Sequence, residues 1–346
     1  VQSIVKYLKH TKIRKIVATY DGLYKIVEAY DRIGLNIYDD FLLIDEWQVI
    51  FQQFGFRNKV MRYLLDESVK FRNKCFMTAT PISKEYWFDE LQGLEELVLE
   101  YDLPKTKLIH FKCNDVVDEV TAVIQTKKED RNLHFFINSV QLINIIVKTN
   151  NLLPNEVRIV CSKQSKNELK LSGYTIESTT SLPKKYNFYT STAFEGCDIY
   201  DTQAQIFVVA DGNKAHSLCD ITTTLPQIAG RIRDAKDNTI NLIYKSTRYI
   251  DVTQEEFERV VKNNLEEGER IAKGITYSGV TAIINDLKAN DYYLRVTDDG
   301  VVFEKILLNL DRFQFNLSKT YSLKANIIMS TQAIFESEEL NKEVAE

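Results

Sequence analysis

The stretch Phe41-Leu42-Leu43-Ile44-Asp45-Glu46-Trp47-Gln48 passes from apolar residues directly into two adjacent carboxylates. A short apolar run closed by a polar turn suits a buried parallel strand, which would deliver Asp45 and Glu46 together at its C-terminal end. Nucleotide hydrolysis uses such a pair: the first carboxylate holds Mg2+, usually through water, and the second polarises the attacking water. The same pair also serves as plain solvation of a strand end. Farther on, Phe76-Met77-Thr78-Ala79-Thr80-Pro81 closes another apolar run with two hydroxyls, and Gln227-Ile228-Ala229-Gly230-Arg231-Ile232-Arg233 brings two guanidiniums within three residues. Two guanidiniums so close are most simply a pair of solvated surface arginines.

The elements that must position these groups alternate along the chain. Apolar runs at Lys15–Ala18, Phe41–Ile44 and Lys74–Met77 predict strands, and Gly22–Tyr30 and Val60–Phe71 carry helical spacing between them. A second series of predicted strands follows at Leu108–Phe111, His134–Ile137, Val157–Cys161, Phe188–Thr190, Ile206–Val209 and Ile240–Tyr244. This alternation predicts an α/β protein with mostly parallel sheets covered by helices. Helical spacing over Glu85–Leu99 is interrupted by Asp102, Leu103 and Pro104, which places a domain join near Tyr101–Lys107. After Tyr249 the character changes. Thr253-Gln254-Glu255-Glu256 starts a helix running to about Lys273, a second helical stretch covers Thr276–Ala289, and Asp298-Asp299-Gly300 turns a hairpin between Tyr292 and Leu308. The expected division is therefore 1–103, 104–250 and a mostly helical appendage over 251–346.

Taken in order, Asp45-Glu46-Trp47-Gln48 and Thr78-Ala79-Thr80-Pro81 resemble motifs II and III of superfamily-two helicases. The likeness continues downstream. Leu133-His134-Phe135-Phe136-Ile137-Asn138-Ser139 resembles motif IV, Thr190-Ser191-Thr192-Ala193-Phe194-Glu195-Gly196-Cys197-Asp198 resembles motif V, and Gln227 to Arg233 resembles motif VI. Val17-Ala18-Thr19-Tyr20-Asp21-Gly22-Leu23 is similar to an A-T-Y-x-x-L element that some of these motors place before motif II. The resemblance implies a pair of RecA-like domains, with ATP between them and single-stranded nucleic acid across the top. It implies ATP and Mg2+ as cofactors. Asp45 would carry the metal through water, and Glu46, Gln227, Arg231 and Arg233 would serve hydrolysis. Thr78, Thr80, Gly196 and Asp198 would line the nucleotide site, and Thr19, Ser139, Thr190 and Thr192 would touch phosphates of a nucleic-acid strand, DNA being favoured. The family more often spaces its second arginine three residues after the first. Here the interval is two, so which arginine meets the phosphate stays open.

One part of the pattern is missing. Hydrolysis in this family needs G-x-x-x-x-G-K-[ST], whose amides and lysine cradle the β- and γ-phosphates, and no Gly-Lys dipeptide occurs in the sequence. The first RecA-like domain is accordingly expected to be N-terminally incomplete. Either the chain is the C-terminal part of a complete motor, or it is a helicase-like binding module without hydrolysis. Retention of both carboxylates and both arginines favours the former.

The bulk properties bound these readings. The chain has 346 residues, 44% of them hydrophobic and 27% charged, with 12 Gly and 5 Pro, the profile of packed domains. With 44 Lys and Arg against 49 Asp and Glu the net charge is −5, so any polyanion must be met by a local basic patch. Five scattered cysteines and four histidines show neither zinc-ligand spacing nor a disulfide framework. Free thiols and the absence of a signal-peptide core predict a cytoplasmic protein, and no apolar run approaches the roughly 18 to 20 residues of a membrane span.

Overall fold

Buried parallel strands and amphipathic helices dominate the computed structural model, which describes residues 1–101, 104–126, 130–247, 252–278, 289–297 and 300–339. In chain order the elements are α1 (Gln2–His10), α2 (Leu23–Arg32), β1 (Phe41–Asp45), α3 (Gln48–Ser68), β2 (Asn73–Met77), β3 (Lys107–Lys112), α4 (Val116–Gln125), β4 (Asn132–Phe136), α5 (Val140–Thr149), β5 (Val157–Val160), α6 (Ser165–Lys170), β6 (Tyr186–Tyr189), β7 (Ala204–Asp211), α7 (Thr224–Ala229), β8 (Ile240–Lys245), α8 (Gln254–Ser278), β9 (Leu294–Thr297), β10 (Gly300–Phe303), α9 (Lys305–Thr320), α10 (Lys324–Gln332) and β11 (Glu336–Glu339). The protein is α/β, and its chain divides into two units. The first comprises Val1–Leu97 and Glu255–Phe313, the second Val98–Gln254 and Gln314–Glu346.

The second unit is built on seven strands in the order β11-β3-β8-β7-β4-β6-β5, every pairing parallel. Its inner strands read as largely apolar runs because both faces are covered, as a parallel sheet requires, whereas the edge strand β11 is Glu336-Ser337-Glu338-Glu339. One face carries Leu133, Phe135, Phe188, Phe207 and Val209 against the apolar sides of α4 and α5. Phe135 stacks on Phe188 at 5.2 Å and on Phe207 at 5.1 Å. Helix starts here are specified locally: the Asp115 carboxylate accepts from Val117 N–H at 2.7 Å, and the Ser139 hydroxyl accepts from Leu142 N–H at 3.3 Å.

The first unit has a smaller sheet, β1 paired parallel with β2 from Phe41 opposite Asn73 to Asp45 opposite Met77. One side of this pair packs on α3 through Ile44, Ile50, Phe51 and Phe54. On the other side Phe41, Leu43, Cys75 and Met77 are exposed.

Four expectations are corrected. Lys15–Ala18 is extended but pairs with no strand; the Lys15 amide bonds instead to the Tyr7 hydroxyl at 2.9 Å. Glu85–Leu99 is not a helix. Two short 3-10 turns, Lys84–Tyr86 and Asp89–Leu91, are separated by extended backbone at Trp87 and Phe88, which buries Phe88 beside Trp47, and Gly93 at φ +75° ends the pattern. The C-terminal hundred residues are not a separate appendage. Arg62 on α3 holds Glu90 at 2.6 Å and Glu304 at 3.3 Å, binding the hairpin region to the first unit. Tyr321 donates to Cys219 O at 2.8 Å in the second unit, where β11 extends the sheet beside β3. Finally, β9 and β10 form the expected antiparallel hairpin, but residues 305–308, expected within it, already belong to α9. Asp298 and Asp299, the domain join at Asp102 and Leu103, and most of the expected helix Thr276–Ala289 lie outside the described residues. No helix among the described residues is long and apolar enough to cross a membrane.

Side-chain burial predicts opposite fates for two phenylalanines. Phe135→Ala should destabilise the protein by about 3–5 kcal/mol, because it empties a stacked core site, whereas Phe41→Ser, at a side chain 64% exposed, should cost under about 0.5 kcal/mol. Urea unfolding of both variants checks this.

Candidate functional site

In the first unit, β1 ends as expected in Asp45 and Glu46. Asp45 is exposed, and one of its carboxylate oxygens accepts from Glu46 N–H at 3.0 Å. Glu46 adopts φ +53°, the left-handed region that costs a residue with a Cβ on the order of 1 kcal/mol or more. This turn sends the chain from strand to helix at once: Trp47 N–H bonds to Met77 O at 3.2 Å, and α3 starts at Gln48. The buried Gln48 amide donates to the Glu46 carboxylate at 2.7 Å, while its own oxygen finds no partner among the described residues. Trp47 fixes the turn from below through edge contacts to Trp87 at 5.8 Å and Phe88 at 5.7 Å.

The end of β2 lies beside this turn, as the strand register demands. Thr78 Oγ1 accepts from Thr80 N–H at 3.0 Å, a local turn that holds Thr80 buried and leaves Thr78 partly exposed. Tyr20 joins the third piece. Its hydroxyl bonds to Asp45 O and, at 3.2 Å, to Glu46 O, so the element after Thr19 is anchored to the backbone of the carboxylate turn. Thr19 itself is exposed. Sequence reasoning misses Tyr20 as a positioning residue; its signal is an aromatic hydroxyl in a stretch whose threonine draws the attention.

The second unit gathers the other residues at the C-terminal ends of neighbouring strands β4 and β6, where open parallel sheets form sites. Ser139, however, is buried and capped onto α5, so a helix start accounts for its hydroxyl. Thr190 is buried too, its hydroxyl near Val160 O and Thr192 Oγ1 at 3.5 and 3.4 Å; Thr192 is exposed. Asn138, which its residue type does not single out, links the two strand ends. Its oxygen accepts from Ser191 N–H at 3.2 Å and its amide donates to His216 O at 2.7 Å.

Gly196 sits at φ +67° with nothing within 4 Å of a would-be Cβ, so glycine serves the backbone turn rather than a close approach. That turn brings Ile199 into a backbone pair with Ile232: Ile199 N–H donates to Arg231 O at 2.9 Å and Arg233 N–H donates to Ile199 O at 3.0 Å. The clamp splits the two arginines into different roles. Arg231 is 9% exposed and spends its guanidinium on Gln227 O at 2.8 Å, Cys197 O at 3.1 Å and Gln227 Oε1 at 3.2 Å. Arg233 is half exposed and pairs with the equally exposed Asp198 at 2.7 Å. Gln227 is thereby buried against Arg231.

Beneath the strand ends runs a buried polar chain. His134 Nε2 meets Asp201 at 3.0 Å, His134 Nδ1 meets the Tyr189 hydroxyl at 3.0 Å, and Arg158 donates to that hydroxyl at 3.1 Å and to the carbonyls of Ser178 and Thr179 at 3.0 and 2.8 Å. Burial holds the imidazole of His134 below its ordinary pKa. Burial alone would raise Asp201, but hydrogen bonds from His134, Asn132 and the Gln203 amide outweigh it and hold the carboxyl below its usual range. Tyr293 and Phe313, aromatics of a kind that could stack on bases, are core residues: Tyr293 is buried and donates to Asp311 at 2.7 Å, and Phe313 packs on Phe51 and Tyr86 at 5.5 Å each.

Among the described residues no group of three or more His, Cys, Asp or Glu is placed to hold a metal. An octahedral Mg2+ held by one carboxylate, water and phosphate oxygens needs no such group, and the exposed Asp45 fits that mode. The phosphate-cradling loop G-x-x-x-x-G-K-[ST] has no counterpart in the sequence.

Both His134 and Asp201 have folded pKa values below their unfolded ones. Each therefore contributes stability that is present above its unfolded pKa and lost as pH falls toward the folded one. The urea midpoint of the second unit should start to fall below about pH 6.5, the ordinary histidine value, and fall further through the carboxylate range. His134→Gln should lower the midpoint at pH 7.5 but flatten the decline between about pH 6.5 and 5.

No protein-family model matches the chain, and no curated protein matches it, so the functional reading rests on the residues and their geometry.

Proposed function

We propose that this chain carries the motor chemistry of a superfamily-two helicase or translocase, an ATP-driven protein acting on nucleic acid, with DNA favoured. The two units are then RecA-like domains. The observation that supports this best is the way the motif-like segments are held to one another. Tyr20 ties the A-T-Y element to the Asp45-Glu46 turn, that turn is bonded to the strand preceding Thr78, and the Gly196 turn is clamped by backbone to Arg231 and Arg233.

On this reading Asp45 would hold Mg2+, which would supply charge neutralisation at the phosphates. Glu46, oriented by Gln48, accepts the proton of the attacking water. Arg233 stabilises the charge that develops on the transferred phosphoryl group, and Arg231, tied to Gln227 and Cys197, keeps the loop that presents it in shape. Thr19 and Thr192 offer exposed hydroxyls to a phosphate backbone, a contact that carries no sequence preference. Ser139 and Thr190 support these positions from the interior.

A second reading is favoured by one observation: the sequence holds no Gly-Lys dipeptide and hence no phosphate-cradling loop. A helicase-like nucleic-acid-binding module that does not hydrolyse ATP would keep the strand contacts and lose the need for Glu46 and Arg233.

The two readings separate in one assay. ATP hydrolysis with and without single-stranded DNA is measured for this chain and for a version extended upstream to a start codon. A motor shows DNA-stimulated hydrolysis in the extended version, lowered about 10²–10⁴-fold by Glu46→Gln and about 10³-fold or more by Arg233→Ala with unchanged melting. Arg231→Ala lowers the melting temperature as well. An extended chain that binds single strands yet stays inert supports the binding module.

A further inference from the structure

The net charge of −5 hides a strong local asymmetry. The first twenty residues contain Lys6, Lys9, Lys12, Arg14 and Lys15, together with His10, and no Asp or Glu at all. The fold leaves all of these cations but Arg14 exposed within one short segment. Helix α1 turns Ile4, Val5 and Leu8 inward against Ala29 and Tyr30 of α2, which leaves Lys6, Lys9 and His10, at helical spacings of three and four, facing solvent. The chain after α1 is then folded back along it. The Tyr7 hydroxyl accepts from Lys15 N–H at 2.9 Å and donates to Lys15 O at 3.1 Å, which sets Lys12 and Lys15 beside the helix.

Within this patch Arg14 is committed: it pairs with Asp40 at 3.2 Å and lies over the Tyr30 ring at 5.5 Å. Lys6, Lys9, Lys12 and Lys15 are all exposed, and none has a carboxylate partner among the described residues. Lysines elsewhere are often neutralised, as in Lys70 with Glu67, Lys184 with Glu177, Lys185 with Glu156 and Lys305 with Asp89. Four unpaired ammoniums held together repel one another, and the arrangement is relieved when a polyanion takes the place of counterions. The same segment continues without regular structure through the exposed Val17 to the exposed Thr19.

We infer that the surface formed by α1 and residues 11–19 is a contact site for the phosphate backbone of single-stranded nucleic acid, with Lys6, Lys9, Lys12 and Lys15 as the contacting groups. Nucleic acid as the partner rests on the proposed function; the clustering of unpaired cations does not. An anionic bilayer fits less well, because a helix lying in a membrane surface needs a free apolar face and that of α1 is packed against α2.

The test is fluorescence anisotropy of a labelled single-stranded DNA 20-mer with the full chain, titrated between 50 and 300 mM salt. Two variants are run beside it: Lys6, Lys9, Lys12 and Lys15 all changed to Gln, and a charge control with exposed Lys163, Lys166 and Lys170 changed to Gln. Circular dichroism melting establishes that each is folded. The expected result is a slope of log K against log salt reduced by about 0.7 for every phosphate that is no longer neutralised, with affinity at 100 mM salt down on the order of tenfold or more in the first variant alone. An unchanged slope in the first variant, or an equal drop in both, overturns the site and leaves the proposed function standing. If the unaltered chain binds no single strand at this salt, the nucleic-acid partner fails along with the site; binding to phosphatidylserine vesicles instead would assign the patch to a membrane.

Discussion

A strand joined to a parallel neighbour must return its chain across the sheet before it can pair again, so every strand of the second unit runs the same way and every strand-to-loop exit falls on one edge. That constraint decides where chemistry can sit. Ile137-Asn138-Ser139 leaves β4 and Thr190 leaves β6, and because β4 and β6 are neighbours the two exits meet through Asn138 and Ser191. The loop holding Gly196 and Asp198 then rises from the same edge and is caught by Ile232. In the first unit the same rule operates on two strands, placing the Asp45-Glu46 turn beside Thr78.

The cost of such a sheet is that polar groups on its strands have no water to turn to. Arg158, with a side chain among the most buried of the described residues, meets no carboxylate among them; it donates to two carbonyls and the Tyr189 hydroxyl, and Asp201 lies at the far end of the chain through His134. A network of this kind is weak as a source of stability but strict about geometry, since removing one member leaves another buried and unpaired. Its position matters, because Tyr189 immediately precedes Thr190. The strand end that presents Thr192 is therefore held by buried hydrogen bonds as well as by apolar contact.

Much of this was legible in the sequence. Eight of the nine apolar runs expected to be strands are strands, those of the second unit buried on both faces and β1 and β2 buried on one. Lys15–Ala18 fails because a strand also needs a partner, and that information is not local. Glu85–Leu99 fails because Phe88 is drawn into the core beside Trp47, a tertiary demand that overrides helical spacing. The threonines and serine chosen for phosphate contact illustrate a different limit. Hydroxyls at strand ends look alike in sequence, yet Ser139 caps a helix and Thr190 is buried, and only Thr19 and Thr192 reach the surface. The positioning residues Tyr20 and Asn138 were invisible because their importance lies in what they bridge.

The two arginines show how burial separates residues that sequence cannot. Arg231 gives its donors to carbonyl and amide oxygens in a buried setting, so withdrawing it would leave those acceptors short of a donor at a cost of about 1–3 kcal/mol each. It is a fixed part of the loop. Among the described residues the Arg233 side chain pairs with Asp198, both nearly half exposed, and an ion pair of that kind is worth about 0–1 kcal/mol. Another anion would compete with that carboxylate at little cost. The weak pair leaves the Arg233 guanidinium exchangeable, so exposure separates two arginines that their spacing does not: Arg231 secures the loop and Arg233 faces solvent.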